Sequence, residues 1–345
     1  MLPELTYTHL ARLTTPLGLF EHALGTEPRV EHGYCVDDVA RALVVTSRER
    51  YPSADVLRLA DGYLDFVLGA LCDDGLMHNR RHLDGTWGDT ETSNDHWGRA
   101  LWALGVAAAH GQDPAFVSRA REGARRAMRA RSLWPRAMAY AALGAGELLA
   151  VAPGGHGDDL SREARSLLVD ARTVLGRPRP ATPWPWIERR LTYANAVLPE
   201  ALLVIGASLP DDTALAEGLT LLAWLVDEQE HEGHLSVVPA GGRARGDARP
   251  GYAQQPIEVA ALAEASRRAY VVTGDDRWAT VIATCRAWFE GANDLGMPVR
   301  DEATGGGYDG LERRAVSENQ GAESTLAWLS THQVSLMLLL DAVDR

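Results

Sequence analysis

Carboxylate side chains are concentrated in three short stretches of this chain. Asp37 and Asp38 are adjacent in GYCVDDVARAL, Asp95 lies in TSNDHWGRALWALG, and Glu318 and Glu323 lie in SENQGAESTLAWL. Hydrolysis of a glycosidic bond with inversion needs two carboxyl groups about 6.5–9.5 Å apart, one protonated at the leaving oxygen and one ionised to hold a water. We therefore predict a general acid and a general base among Asp38, Asp95, Glu318 and Glu323, one from the early stretches and one from the last.

Amides, aromatic rings and further polar side chains accompany these acids. Indole faces stack on the apolar faces of sugar rings, while amide, carboxylate and guanidinium groups hydrogen-bond to hydroxyls. Such a composition is typical of a carbohydrate site. It predicts a substrate-binding set that contains Asp37, Glu91, His96, Trp97, Arg99, Trp184, Trp186, Arg190, Tyr193, Asn195, Gln254, Gln255, Glu258, Asn319 and Gln320.

Twelve helix-sized segments, in strict alternation, must position these residues. Small residues let helices pack closely in a crowded centre, and a charged stripe marks a helix with one face in water. The even segments, rich in Ala, Gly and Leu, start near Val36, Ser93, Trp134, Tyr193, Gln254 and Asn319. The odd segments, several with a charged face, start near Thr8, Ser53, Asp113, Asp159, Asp211 and Asp275. The pattern predicts an inner ring of six helices inside an outer ring of six.

The connection lengths give this arrangement a polarity. The long connections, at 72–92, 176–192, 228–253 and 291–318, all lead from an outer segment to an inner one. In an antiparallel arrangement they emerge together, at the end where the inner helices begin. Because long loops on a rigid scaffold usually carry function, we place the active site at this end. The acidic pairs within 157–159, 211–212 and 274–276 open outer segments and predict N-terminal caps.

The alternation resembles the (α/α)6 toroid shared by many inverting glycoside hydrolases, some sugar phosphorylases, unsaturated-uronyl hydrolases and N-acylglucosamine 2-epimerases. The stretches GYCVDDVARAL, DHWGRALWALG, RLTYANAVLPEALL, QQPIEVAAL and SENQGAESTLAWL further resemble a bacterial family described as glycosyltransferase-associated, over about residues 30–330. The resemblance implies an all-α fold, a single (α/α)6 toroid over residues 1–345, and a carbohydrate substrate. It also leaves room for a functional partnership with a glycosyltransferase.

An inverting glycoside hydrolase acting on a mannose- or glucose-containing oligosaccharide fits the acids best, but other functions stay open. Epimerases of this fold use two histidines as acid and base. His96 is well placed for this role, yet no second histidine accompanies an inner-helix start. A phosphorylase would replace the base by bound phosphate, for which Arg41, Arg99 and Arg190 are candidate donors. A non-catalytic carbohydrate-binding toroid beside a glycosyltransferase is a further alternative.

Composition and charge exclude several other classes. A net charge of −13 argues against nucleic acid, and no apolar run has membrane-spanning length. The start MLPELTYTHLARLTT is not a secretion signal, and the three cysteines lack metal-ligand spacing. The spacing of Asp89, Glu91 and Asp95 lacks the glycine and length of a calcium loop. We expect a cytoplasmic protein with no cofactor or metal, and with neither a nucleic acid nor a membrane as partner.

Overall fold

The computed structural model describes residues 5–151, 158–179 and 182–343, and this part of the chain contains twelve α-helices that alternate between two rings. The inner ring contains α2 (Val36–Ser47), α4 (Asp95–His110), α6 (Pro135–Ala150), α8 (Val197–Ser208), α10 (Pro256–Thr273) and α12 (Ala322–Val343). The outer ring contains α1 (Thr8–Leu13), α3 (Ala54–Ala70), α5 (Pro114–Ala127), α7 (Asp159–Leu175), α9 (Asp212–Gln229) and α11 (Asp276–Phe289). The predicted all-α alternation is confirmed. The predicted domain of residues 1–345 extends beyond the described residues and stays a prediction.

The inner ring is closed. Each inner helix packs against the next, from α2 through α4, α6, α8 and α10 to α12, and α12 packs back against α2. Inner helices such as α6 are buried along almost their whole length, whereas outer helices bury one stripe. In α7 the buried stripe repeats at helical spacing through Leu160, Ala164, Leu167, Ala171 and Leu175, which is why its charged residues remain on the outer surface.

Glycines bring α4 and α6 into backbone contact. A Cβ atom added to Gly98 would lie 2.2 Å from the carbonyl oxygen of Ala137, and one added to Gly144 would lie 2.2 Å from the carbonyl oxygen of Leu101. No side chain can fit between these backbones. Small residues therefore set the spacing of α4 and α6, as the sequence predicts.

Caps and loops complete the scaffold. Asp158, Asp211 and Asp275 accept hydrogen bonds from backbone N–H groups at the starts of their outer helices, as predicted for the acidic pairs; residue 157 lies outside the described part. The long connections run from outer to inner helices and, within the described ranges, contain three small antiparallel hairpins, which pair β1 (Thr14–Thr15) with β2 (Gly18–Leu19), β3 (Ala23–Leu24) with β4 (Glu27–Pro28), and β7 (Glu230–His231) with β8 (His234–Leu235). A fourth antiparallel pair joins two connections, because β5 (Tyr34–Cys35) precedes α2 and β6 (Arg80–Arg81) follows α3.

Across the described ranges, no helix has both the length and the apolar character that crossing a membrane requires.

Candidate active site

Two adjoining cavities open at the end of the toroid where the inner helices begin. Cavity A, of about 330 Å³, is lined by Glu21, His22, Cys35, Asp37, Asp38, Arg41, Arg99, Gln255, Asp309, Gly321, Glu323 and Ser324. Cavity B, of about 710 Å³, is lined by Asp37, Asn79, Arg80, Asp89, Thr90, Thr92, Asn94, Asp95, His96, Arg99, Trp134, Pro135, Arg136, Glu188 and Tyr193. Because both cavities share Asp37 and Arg99, they are two lobes of one cleft.

A single guanidinium joins two acids in cavity A. Arg41 Nη1 lies 2.6 Å from Asp38 Oδ1, one helical turn earlier on α2, and its Nη2 lies 2.8 Å from Glu323 Oε2 in the first turn of α12. One planar guanidinium reaches both acids, so the two contacted carboxylate oxygens are at most about 8 Å apart. The Asp38 side chain is only 3% exposed and that of Glu323 is 37% exposed. The closed ring thus pairs residues from the two ends of the chain.

The adjacent acids Asp37 and Asp38 are driven toward opposite ionisation states. Burial raises the pKa of Asp38 to about 7, the negative charges of Glu323 and Glu21 add to this, and the Arg41 guanidinium opposes it. Burial also opposes ionisation of Asp37, but Arg99 and Arg41 outweigh it and hold the pKa of Asp37 below its usual value. A neutral acid beside an ionised one is the arrangement that acid–base catalysis uses.

A second guanidinium joins acids across the boundary between the cavities. Arg99 Nη1 lies 2.5 Å from Asp37 Oδ1 and 3.7 Å from Asp95 Oδ2, one turn earlier on α4. The Tyr193 hydroxyl donates to Asp95 Oδ2 at 2.5 Å, and the Arg99 guanidinium lies 4.7 Å from the centre of the Tyr140 ring. Across the two clusters, four carboxylates from three inner helices contact only the two guanidinium groups of Arg41 and Arg99 in these ion pairs.

A third set of contacts fixes the loop that precedes α8. Arg136 donates to both carboxylate oxygens of Glu188, at 2.7 and 2.9 Å, and to the Tyr193 carbonyl at 2.7 Å. Asn195 Nδ2 donates to Glu258 Oε2 at 2.8 Å. Burial raises the pKa of Glu258 to about 7, and its hydrogen bonds from Asn195 oppose that rise. These contacts hold the wall of cavity B that carries Tyr193.

The structure brings together about half of the side chains that the sequence singles out. Those that line the cleft are Asp37, Asp38, Asp95, His96, Arg99, Tyr193, Gln255 and Glu323. His96 is almost fully buried, and its Nε2 lies 3.0 Å from the Met77 carbonyl oxygen, so this nitrogen is already engaged by the scaffold.

The remaining predicted residues line neither cavity. Glu318 is exposed on the loop before α12, and Glu91 is partly buried in the loop before α4. Trp97, Trp186 and Gln254 are fully buried, so no ligand reaches them in this structure. Trp97 donates its Nε1–H to the Ala127 carbonyl oxygen because it points from α4 toward the outer ring.

Four further predicted residues engage the scaffold. Trp184 packs edge-to-face on Trp224, and Arg190 Nη2 donates to the Gly241 carbonyl. Asn319 Oδ1 accepts from the Gly25 N–H, and Gln320 Nε2 lies 3.3 Å from an Asp301 oxygen. We leave these residues out of the proposed site.

Several residues that line the cleft are missing from the set that the sequence predicts. Arg136 could have been predicted from the sequence, because it directly follows the helix-opening Trp134-Pro135 pair and therefore lies where an inner helix begins. Glu21 and Asp309 could not have been predicted, since they lie in irregular connections whose path depends on the fold.

One group of side chains has the composition of a metal site. Glu21, Cys35 and Asp38 each offer a ligand atom within 4.8 Å of the others. A metal needs deprotonated ligands, whereas burial raises the pKa of both the Cys35 thiol and the Asp38 carboxyl, and the thiol donates to Asp38 at 3.2 Å. Cys35 and Asp38 therefore favour their protonated forms, and a metal ion bound here would have to displace both protons.

Comparison with known proteins gives matches among solved structures. No family model matches the chain, and no curated protein matches it. A sugar epimerase from a ruminal bacterium superposes with a TM-score of 0.69 at 13% identity, covering 96% of this chain and 95% of that one. Cellobiose 2-epimerase from Bacillus thermoamylovorans superposes with a TM-score of 0.68 at 10% identity, covering 97% of this chain and 96% of that one. A GH76 alpha-mannanase from Bacteroides thetaiotaomicron superposes with a TM-score of 0.54 at 12% identity, covering 90% of this chain and 88% of that one. The chain therefore has the (α/α)6 toroid fold of these structures.

Proposed function

We propose that this protein is a carbohydrate-active enzyme, an inverting glycoside hydrolase acting on a mannose- or glucose-containing oligosaccharide. The observation that carries the proposal is the Asp38–Arg41–Glu323 cluster in cavity A. Burial raises the pKa of Asp38 to about 7, which lets this acid hold a proton near neutral pH and give it to a leaving oxygen. Asp38 is the proposed general acid.

Glu323 is the proposed general base. Its side chain is 37% exposed at the opening of α12, so a water can reach it, and Arg41 holds it opposite Asp38. The contacted oxygens lie at most about 8 Å apart, a limit that permits the separation of about 6.5–9.5 Å that inverting hydrolysis uses. Asp95, which accepts from the Tyr193 hydroxyl in cavity B, is the alternative base.

The comparisons support the substrate class. The similar structures are those of sugar epimerases and an alpha-mannanase, all proteins that act on carbohydrates. Aromatic rings, amides and charged groups around the cleft supply the kinds of contact that sugars need.

Sugar epimerisation is the second candidate, because two of the similar structures are epimerases. Among the described residues that line the cleft, the histidines are His22 and His96. His22 packs edge-on against His32, and His96 spends one nitrogen on the Met77 carbonyl. The carboxylates are better placed than these rings to flank a sugar, which ranks hydrolysis first.

Proton NMR of the protein with mannose- and glucose-based oligosaccharides, in D₂O with and without phosphate, tests the proposal. We expect phosphate-independent release of a sugar with inverted anomeric configuration, lost in Asp38→Asn and Glu323→Gln. Glu302→Gln, at an exposed acid outside both cavities, is the matched control and should keep full turnover. Glu318→Gln should also keep it.

Other spectra would contradict this assignment in different ways. Phosphate-dependent release would indicate a phosphorylase. Deuterium entering the sugar with its glycosidic bond intact would indicate an epimerase. Binding without any reaction would favour a carbohydrate-binding toroid that partners a glycosyltransferase.

A further inference from the structure

Trp134 is an exposed aromatic side chain on the wall of cavity B. It is 61% exposed and immediately precedes Pro135, the first residue of α6. A proline restricts the residue before it to extended backbone, and Trp134 has φ −93° and ψ 126°. The indole is therefore attached just outside the helix, at the mouth of the inner ring.

The short segment that carries Trp134 is held by its neighbours. The Trp134 N–H donates to Ser132 Oγ at 3.1 Å, and Ser93 Oγ donates to the Arg131 carbonyl at 2.9 Å. Arg131 Nε lies 2.7 Å from Asp170 Oδ2 on α7. A ligand would meet a backbone that is already ordered, so little conformational entropy is lost on binding.

Tyr193 supplies a second aromatic surface in the same cavity. The Arg136 guanidinium lies 4.7 Å from the centre of its ring, and its hydroxyl is fixed on Asp95, yet the residue remains 42% exposed. Polar groups of Asn94, Asp95 and Glu188 line the cavity beside the two rings. Apolar surfaces next to fixed hydrogen-bonding groups are suited to a sugar, which has both kinds of surface.

We infer that cavity B is a second sugar-binding site, with Trp134 as its stacking platform. It would hold the part of a neutral oligosaccharide that extends beyond the unit reacting in cavity A, and this inference rests on the proposed function. The cavity of about 710 Å³ lies within the range that holds drug-sized ligands, a class that includes small oligosaccharides. Affinity should therefore grow with substrate length.

Exposure alone does not establish this role, because single exposed hydrophobic side chains are common on protein surfaces. Leu133 provides the comparison that the chain itself offers. It precedes Trp134 in the same segment and is 88% exposed, but it does not line cavity B. Truncating Leu133 removes an exposed apolar group of the segment without touching the proposed platform.

Calorimetric titration with mannose and glucose oligosaccharides of increasing length tests the inference, with Asp38→Asn as the background to prevent turnover. We expect Trp134→Ala to weaken binding of the longest saccharide about tenfold, or about 1.4 kcal/mol. The loss follows from uncovering one indole face. Binding of the monosaccharide should not change. Leu133→Ala should match the background at every length, and Trp134→Phe should recover part of the loss.

The outcomes separate this inference from the proposed reaction. Length-dependent binding that needs Trp134, without turnover of any glycoside by the wild type, would uphold the subsite and reject hydrolysis. Turnover with equal kcat/KM for long substrates in wild type and Trp134→Ala would uphold hydrolysis and reject the subsite. Failure of every saccharide to bind, or an equal effect of Trp134→Ala on the monosaccharide, would also overturn the inference.

Discussion

Replacing Gly98 by alanine tests the packing that places the active-site helices. Gly98 precedes Arg99 on α4, and a Cβ atom there would lie 2.2 Å from the carbonyl oxygen of Ala137, which follows Arg136 on α6. The obstacle is backbone, so no side-chain rotation relieves it. The new methyl group must push α4 and α6 apart at the cleft.

The expected loss of stability combines two opposing effects. Overpacking a tight core costs up to about 3 kcal/mol, and a contact with backbone belongs at that upper end. Alanine has a better helix propensity than glycine by about 1 kcal/mol, which offsets part of the cost. We therefore expect Gly98→Ala to lower the free energy of unfolding by about 2 kcal/mol. Binding at the cleft should weaken too, because Arg99 moves away from Asp37.

Urea denaturation of the two variants Gly98→Ala and Gly62→Ala measures the difference. Gly62 lies on the exposed side of α3, and nothing would lie within 4 Å of its added Cβ atom. The Gly62→Ala variant should show only the gain in helix propensity, about 1 kcal/mol of stabilisation. The two variants thus have opposite expected signs. A Gly98→Ala protein as stable as Gly62→Ala would refute backbone contact between α4 and α6, and with it the spacing of the cleft.

Three other predictions concern ionisation and ion pairs. If Asp38 supplies the proton, kcat of the wild type falls as pH rises through about 7, the value to which burial raises its pKa, and a pH–rate profile checks this. Burial also raises the pKa of Glu258 from 4.5 to about 7, so the folded state holds an extra proton in this window and stability is lost as pH rises through it. Glu258→Gln keeps an acceptor for Asn195 but cannot ionise. Its free energy of unfolding in urea should therefore fall less than that of the wild type between pH 4.5 and about 7. Arg136→Ala leaves Glu188 without its guanidinium and should destabilise the protein by about 3 kcal/mol, measured in the same way.

The fold could be predicted because its determinants are local. Alternating small-residue and charged helices, acidic caps and long outer-to-inner connections are all visible in the sequence, and each reflects short-range physics. The first outer helix is the weakest case, with only six residues from Thr8 to Leu13.

The site could be predicted only in part, because it depends on direction and on ring closure. Asp95 and Arg99 are one turn apart and share a face, whereas Trp97, two residues from each, points to the outer ring. Helical spacing could have excluded Trp97. The contact of Arg41 with Glu323 could not be read from spacing, because it exists only where α12 closes the ring on α2.

A raised pKa does not by itself identify the acid of this site. Burial raises the pKa of Glu200 and Glu258 as well as that of Asp38. Glu200 lines a third, mostly apolar cavity, which side chains of all six inner helices enclose, and Glu258 accepts hydrogen bonds from Asn195. Neither residue lines cavity A or cavity B. Asp309 does line cavity A and burial raises its pKa, but it accepts the Gly321 N–H at 2.8 Å where the chain enters α12. Asp38 combines the raised pKa with a place in the cleft and a guanidinium shared with a second acid, and this combination is the reason to assign it the proton.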